Sequence, residues 1–279
     1  MDLETQTRHA ETFAALHRRG EPLRLANAWD AASAVVIADA GAPAIATTSA
    51  GVAWSLGVPD GADLGRARAA GVVERVAAVA GIPVSADVEA GYGPTPEDLA
   101  ATTAAVVEAG AVGVNIEDRI GATILEPAEQ AARLAAARAA ADRLGIPLWI
   151  NARTDLFLAG QGPVDARVDA ALVRASRYAE AGANSLFVPG LVDLDAIAKL
   201  AGGPLPVAVM AFPGAPSVAD FAGAGAVRVS LGGAIAQAAY ALAARATTEL
   251  LTEGTYESTV GGVDYGAVNR RLTQVSERA

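Results

Sequence analysis

The chain has no cysteine, only two histidines and a single lysine among its 279 residues. Without cysteine there can be no disulfide, thiolate zinc site or thiol nucleophile, a usage that suits a reducing cytoplasm. His9 and His17 both precede the first strand-like run, so a histidine-centred triad or zinc cluster has nothing to build with. Lys199 sits in the helix-like stretch Asp195-Ala196-Ile197-Ala198-Lys199-Leu200, the setting of a solvated surface lysine. Schiff-base, pyridoxal and Walker-loop chemistry each need a lysine at a strand end or loop, and none is there. Long apolar runs are missing too: Leu231 to Ala246 is interrupted by Gln237 and Arg245 and is too short to cross a bilayer comfortably. The acidic start Met1-Asp2-Leu3-Glu4-Thr5 is unlike a secretory signal. A net charge of -10 denies the chain the basic footprint that nucleic acid or an anionic membrane requires. The expectation is a soluble, cytoplasmic protein acting on small molecules through carboxylates, arginine, hydroxyls, amides and a hard metal ion.

What the sequence does have is a repeat. Strand-like apolar runs occur at 23–26, 44–48, 83–87, 112–117, 148–153, 185–188, 206–210 and 226–230. Helical stretches follow them at 31–40, 63–80, 95–109, 127–144, 164–181, 193–201, 217–222 and 234–251. Eight strand-helix units with near-continuous apolar strands predict a parallel (β/α)8 TIM barrel. No linker divides the chain, so residues 1–279 are expected to form one domain: a capping helix over 1–20, the barrel over 21–252 and a helical extension over 253–279. A doubly wound sheet is disfavoured because no G-x-G-x-x-G follows the first strand; Gly223-Ala224-Gly225 precedes a late strand and reads as a helix stop.

In a TIM barrel, polar residues at the carboxyl ends of the strands share one mouth. The third strand ends in Val84-Ser85-Ala86-Asp87-Val88-Glu89-Ala90-Gly91-Tyr92-Gly93, where a period of two puts Asp87 and Glu89 on one side, able to share a cation or a proton. Other strand ends bring Asn27 and Trp29, then Thr47, Thr48 and Ser49 with a loop to Asp60, then Asn115 with Glu117, Asn151 with Arg153, and Ser230. Asp60, Asp87, Glu89 and Glu117 would repel one another unless neutralised, which favours Mg2+ (or Mn2+) with retained waters. Asp30 and Asp63 precede helices and read as N-caps, while Asp118 and Asp155 read as salt-bridge partners. Arg153 has no evident acid at its depth, so it reads as a bidentate partner for a substrate carboxylate.

Taken in order, Asn27-Ala28-Trp29-Asp30-Ala31-Ala32-Ser33, Ser49-Ala50-Gly51-Val52, Leu56-Gly57-Val58-Pro59-Asp60, Asp87-Val88-Glu89-Ala90-Gly91-Tyr92-Gly93, Gly113-Val114-Asn115-Ile116-Glu117-Asp118 and Ala152-Arg153-Thr154-Asp155 resemble the isocitrate lyase/phosphoenolpyruvate mutase superfamily over about residues 20–250. The resemblance implies a barrel whose last helix is swapped between subunits, in a homo-oligomer that is a dimer or a dimer of dimers (a homotetramer). It implies Asp87 as a direct Mg2+ ligand, with Asp60, Glu89 and Glu117 acting through waters. It further implies Ser49, Ala50 and Gly51 as donors to a substrate carboxylate or enolate oxygen and Arg153 as a further charge; Trp29 and Asn115, delivered to the same mouth by their strands, are expected beside the substrate. Where isocitrate and methylisocitrate lyases carry a cysteine-bearing lid after strand four, this chain reads Arg119-Ile120-Gly121-Ala122-Thr123-Ile124-Leu125-Glu126. Where the phosphonate enzymes carry a histidine after strand six, it reads Phe187-Val188-Pro189-Gly190.

The expected activity is therefore a Mg2+-dependent lyase that breaks a C–C bond of a small 2-oxo or 2-hydroxy (di)carboxylate through a metal-stabilised enolate. Asp60, Glu117 and Arg153 are its catalytic groups, and Tyr92, Thr123 or Ser230 its proton donor. Phosphonate P–C chemistry and a non-catalytic binding barrel are the alternatives.

Overall fold

Short runs of small and branched apolar residues, bounded by glycine or proline, suit strands of a parallel sheet covered by helices on both faces. The structure is a computed structural model that describes residues 1–276. In chain order the strands are β1 Leu23–Ala28, β2 Ile45–Thr47, β3 Val84–Asp87, β4 Gly113–Glu117, β5 Arg119–Ile120, β6 Thr123–Ile124, β7 Trp149–Arg153, β8 Ser185–Phe187, β9 Val207–Met210 and β10 Ala226–Ser230. Eight of them close in the order β1-β10-β9-β8-β7-β4-β3-β2, each pair parallel. Only β5 and β6 stand outside, as an antiparallel hairpin after β4. The chain is a (β/α)8 TIM barrel, as expected.

The helices sit where the capping residues put them. Asp30 accepts from Ser33 N at 2.7 Å and closes a capping box at the start of Ala31–Asp39; Thr95 with Asp98 and Ser217 with Asp220 do the same for Pro96–Glu108 and Val218–Gly223. Each cap satisfies backbone donors that the first turn leaves unpaired. Asp63 is a correction. The helix it was expected to cap starts at Arg66 behind Gly65, and Asp63 instead accepts from Gly65 N at 3.0 Å and turns toward the barrel mouth. The N-terminal helix, Leu3–Ala15, stops short of Gly20. The helices Ser49–Ser55 and Leu156–Ala159 and the β5–β6 hairpin had no counterpart in the sequence reading. All three are shorter than the window over which periodicity carries a signal.

Leu3–Ala15 closes the amino end of the barrel. Its buried Phe13 lies so close to β4 that a Cβ on Gly113 would sit 2.7 Å from the ring, and His17 stacks on Trp149 at 4.0 Å. Arg133, fully buried on the helix Pro127–Arg143, donates to the carbonyls of Ala90, Gly93, Pro94 and Thr95. One guanidinium therefore fixes the loop that leaves β3.

The carboxyl-terminal part behaves differently. Of the 19 residues in Ala234–Thr252 only Ala236 is buried, so this alanine-rich helix covers little of its own barrel. The last helix, Tyr265–Ser276, returns to the same chain, where Arg271 Nε meets Asp39 Oδ1 at 2.9 Å. Residues 277–279 of the expected extension lie outside the described residues. Among those described, no helix is long and apolar enough to cross a membrane.

Candidate active site

The third strand supplies the centre of the mouth, but not by simple alternation. β3 ends at Asp87; Val88 is buried and Glu89 takes φ +50°. The turn, rather than the pleat, brings Glu89 back beside Asp87, which corrects the period-two argument. Glu89 and Tyr92, at φ +53°, are the only non-glycine residues with left-handed backbone among the described residues. Such strain persists only where surrounding contacts over-determine it, and it concentrates at functional sites. Here the holding contacts are Gly91 N to Val88 O at 2.8 Å, Glu117 N to Glu89 O at 2.9 Å, Thr102 Oγ1 to Gly91 O at 2.7 Å, and Arg133.

Above this turn lies a cavity of about 530 Å³, whose lining includes Ser49, Asp60, Asp63, Glu89, Tyr92, Glu117, Arg119, Arg153 and Asp155. Asp87 lies among these groups, its Oδ2 accepting from Ser49 N at 3.2 Å and its backbone N donating to Thr47 Oγ1 at 2.9 Å. Arg153 answers two of the acids: Nη1 stands 2.8 Å from Glu117 Oε1, and Nε is 2.6 Å from Asp155 Oδ1. The expectation that Arg153 lacks a local acid is thus overturned. The pairing leaves two of its five N–H donors uncommitted.

The other strand-end aspartate, Asp118, is fully buried and receives Arg174 Nε at 3.1 Å, Tyr178 Oη at 3.2 Å and Asp155 N at 3.0 Å. Its carbonyl accepts from Leu125 N at 2.8 Å, so the pair closes the base of the β5–β6 hairpin. Asp118 and Asp155 are the salt-bridge partners that their register suggested.

The electrostatics are those of crowded acids. Burial pushes Glu89 up to about 7, with Asp87 and Asp60 adding to the rise and Arg153 opposing it. Burial likewise lifts Glu117 well above the ordinary carboxylate range; Arg153 resists, while Asp87, Asp155 and Glu89 reinforce the rise. Burial and Asp87 raise Asp60, against Arg153 and the Ser49 hydroxyl. Burial and Glu89 raise the Tyr92 phenol, keeping it protonated at neutral pH. Among the described residues no three Asp, Glu or His side chains close directly on one point; the acids ring a space instead. Hard oxygen donors spaced in this way fit a Mg2+-class ion that keeps much of its water.

Other expected residues lie elsewhere. Asn115 is buried under the mouth, its Oδ1 receiving Asn151 Nδ2 at 2.7 Å and Arg228 Nη2 at 3.1 Å. Trp29 packs on the back of the Ser49–Ser55 helix, where a Cβ on Gly51 would be 2.8 Å from it. Ala50 lies against Gly233 on the same helix. Ser230 is buried and bonds Val209 O at 3.3 Å, and Thr123 is exposed on the hairpin. Of the three candidate proton donors only Tyr92 lines the cavity. The sequence reading missed Asp63, Arg119 and the strain at Glu89 and Tyr92. Only the charges of Asp63 and Arg119 could have drawn attention to them.

The sequence profile of the family described as phosphoenolpyruvate phosphomutase matches residues 13–251. An uncharacterized protein of Mycobacterium tuberculosis (strain ATCC 25618 / H37Rv) is 34% identical over 270 residues, 96% of this chain and 98% of its own length. The 2-methylisocitrate lyase of Escherichia coli (strain K12) is 34% identical over 198 residues, 66% of this chain and 63% of the enzyme. Among solved structures, a candidate phosphonomutase from Burkholderia cenocepacia J2315 is 42% identical with a TM-score of 0.82, covering 90% of this chain and 100% of that one.

The raised carboxylates make a pH prediction. Glu89 and Glu117 keep protons that the unfolded chain has already released, so the stability they contribute is complete below the ordinary carboxylate range. It is lost as pH rises through about 7. In chelator, the thermal midpoint should therefore fall between about pH 5 and about pH 8, and Glu89→Gln or added Mg2+ should flatten that fall. A midpoint that climbs over the same range contradicts this electrostatic picture.

Proposed function

The chain belongs to the phosphoenolpyruvate phosphomutase family, and from that premise we propose that it is a Mg2+-dependent lyase cleaving a C–C bond of a small 2-oxo or 2-hydroxy (di)carboxylate. The single observation that carries the reading is that Asp60, Glu89 and Glu117 line one cavity with Arg153, while Asp87 stands beside them on the amides of Ser49 and Glu89. Asp87 would hold the ion directly, with Glu89, Asp60 and Glu117 reaching it through waters; Mn2+ would serve in its place. When bound, the ion would supply positive charge against the enolate that develops as the C–C electron pair stays on the carbon beside a carbonyl or carboxylate, while the other carbon becomes a carbonyl and its hydroxyl proton passes to a carboxylate of the cavity.

The chain's own groups do the rest. Arg153, held in place by Glu117 and Asp155, offers its two remaining donors to a substrate carboxylate. Ser49 presents its hydroxyl at the wall. Tyr92, protonated and lining the cavity, is the group in reach to return a proton to the cleaved fragment. The hairpin contributes Arg119, Ile120 and Gly121 to the wall and limits water above the reacting bond.

A second reading, phosphonate P–C chemistry, is favoured by the likeness to the Burkholderia cenocepacia candidate phosphonomutase. The exposed helix Ala234–Thr252 supports a further proposal, that it packs on a second copy of the chain in a homo-oligomer. No nucleic acid or membrane partner is proposed.

A panel of 2-oxo, 2-hydroxy and phosphono acids, followed for pyruvate or oxalate release with and without Mg2+, tests the activity. Turnover of a carboxylate substrate is expected, with a loss of about a thousandfold or more in Asp87→Ala; full activity in that variant or in excess chelator contradicts the reading. Conversion of phosphonopyruvate in ³¹P spectra would select the second reading instead. Light scattering should give a mass at least twice that of one chain, and a monomer at micromolar concentration contradicts the proposed assembly.

A further inference from the structure

One buried charge has no part in the site described so far. Arg228, on β10, is fully buried inside the barrel. β10 and β4 stand four places apart in the eight-membered ring, yet Arg228 Nη2 reaches Asn115 Oδ1 on β4 at 3.1 Å. The side chain therefore crosses the lumen. Asn115 is the register partner of Asp87 on one side and of Asn151 on the other, so the guanidinium ends in the layer that carries Asp87.

Among the described residues no carboxylate pairs with it directly. Nε and Nη1 have no hydrogen-bond partner. The other contacts of the network are neutral: Asn151 Nδ2 to Asn115 Oδ1 at 2.7 Å, Ser185 Oγ to Asn151 Oδ1 at 2.5 Å, and Trp149 Nε1 to Ser185 Oγ at 2.9 Å. His17 is held uncharged, pushed down to about 3 by burial and by Arg228 itself. Burial lowers Arg228 to about 10, still a cation at neutral pH, and Asp87 is the carboxylate that favours its charge.

An isolated buried guanidinium costs stability that an apolar side chain would not. Its field is also shielded from salt and acts over longer distances than that of a surface charge. We propose that Arg228 is a positioning and charge-balancing residue for the mouth, a fixed interior cation that favours an anionic ligand and moderates the grip of the acid ring on a divalent cation. The cation arm rests on the metal reading given above, whereas the anion arm does not.

Removing the charge should move the two ligands in opposite directions, which loss of structure cannot do. With full-length protein, Mn2+ binding is measured by calorimetry, and oxalate binding with and without saturating Mn2+. Arg228→Met should bind Mn2+ about three- to tenfold tighter and oxalate weaker by a similar factor, whereas Arg228→Lys should stay near wild type in both. Should Arg228→Met fail to fold, Arg228→Gln, which keeps a donor toward Asn115, carries the same expectation. Both ligands weakening together, or neither moving, overturns the role of Arg228 alone. Wild type that binds oxalate but no Mn2+ contradicts the metal reading and leaves the oxalate arm to decide on Arg228. Wild type that binds neither overturns both.

Discussion

Asp60, Asp87, Glu89 and Glu117 repel one another, and the fold holds them together all the same. Asp87 is tied to the Ser49 amide, Glu117 to Arg153, and the turn bearing Glu89 to Arg133 through four carbonyls. Each tether comes from a different helix or strand, so the barrel as a whole supplies the force that keeps like charges close. Much of the rest follows from it: the raised carboxylates, the strained backbone at Glu89 and Tyr92, and the fit to a hydrated cation.

The barrel itself was legible because eight strand-helix units repeat with caps that a single residue can announce, such as Asp30, Thr95, Asp193 and Ser217. Local chemistry and global topology agree there, and periodicity needs only a window of residues. The convergence of the acids with Arg153 on one mouth was legible for the same reason. What escaped was what depends on neighbours distant in sequence. Asp63 resembles an N-cap until the helix is found to start behind Gly65. That Asn115 Oδ1 would receive Arg228 from the opposite wall has no sign in the local sequence. Glu89 stands beside Asp87 because of a left-handed turn, and nothing in alternation predicts that.

The hairpin after β4 is where this chain's chemistry is most its own. Asp118 and Arg174 lock its base from within the barrel wall, and Arg119 begins it at the rim of the cavity. It carries no cysteine and no histidine, so under the proposed activity a proton would have to come from the cavity wall, which Tyr92 lines. Its residues Arg119, Ile120 and Gly121 line a cavity of about 530 Å³, a volume that suits a small ligand.

The claim on which the account rests is that the acid ring exists to hold a divalent cation. Anomalous diffraction from crystals grown with Mn2+ tests it most directly. One strong peak is expected within bonding distance of the Asp87 carboxylate, with waters leading from it to Asp60, Glu89 and Glu117. A mouth without such a peak, its acids met only by Arg153 and protons at saturating Mn2+, would contradict it.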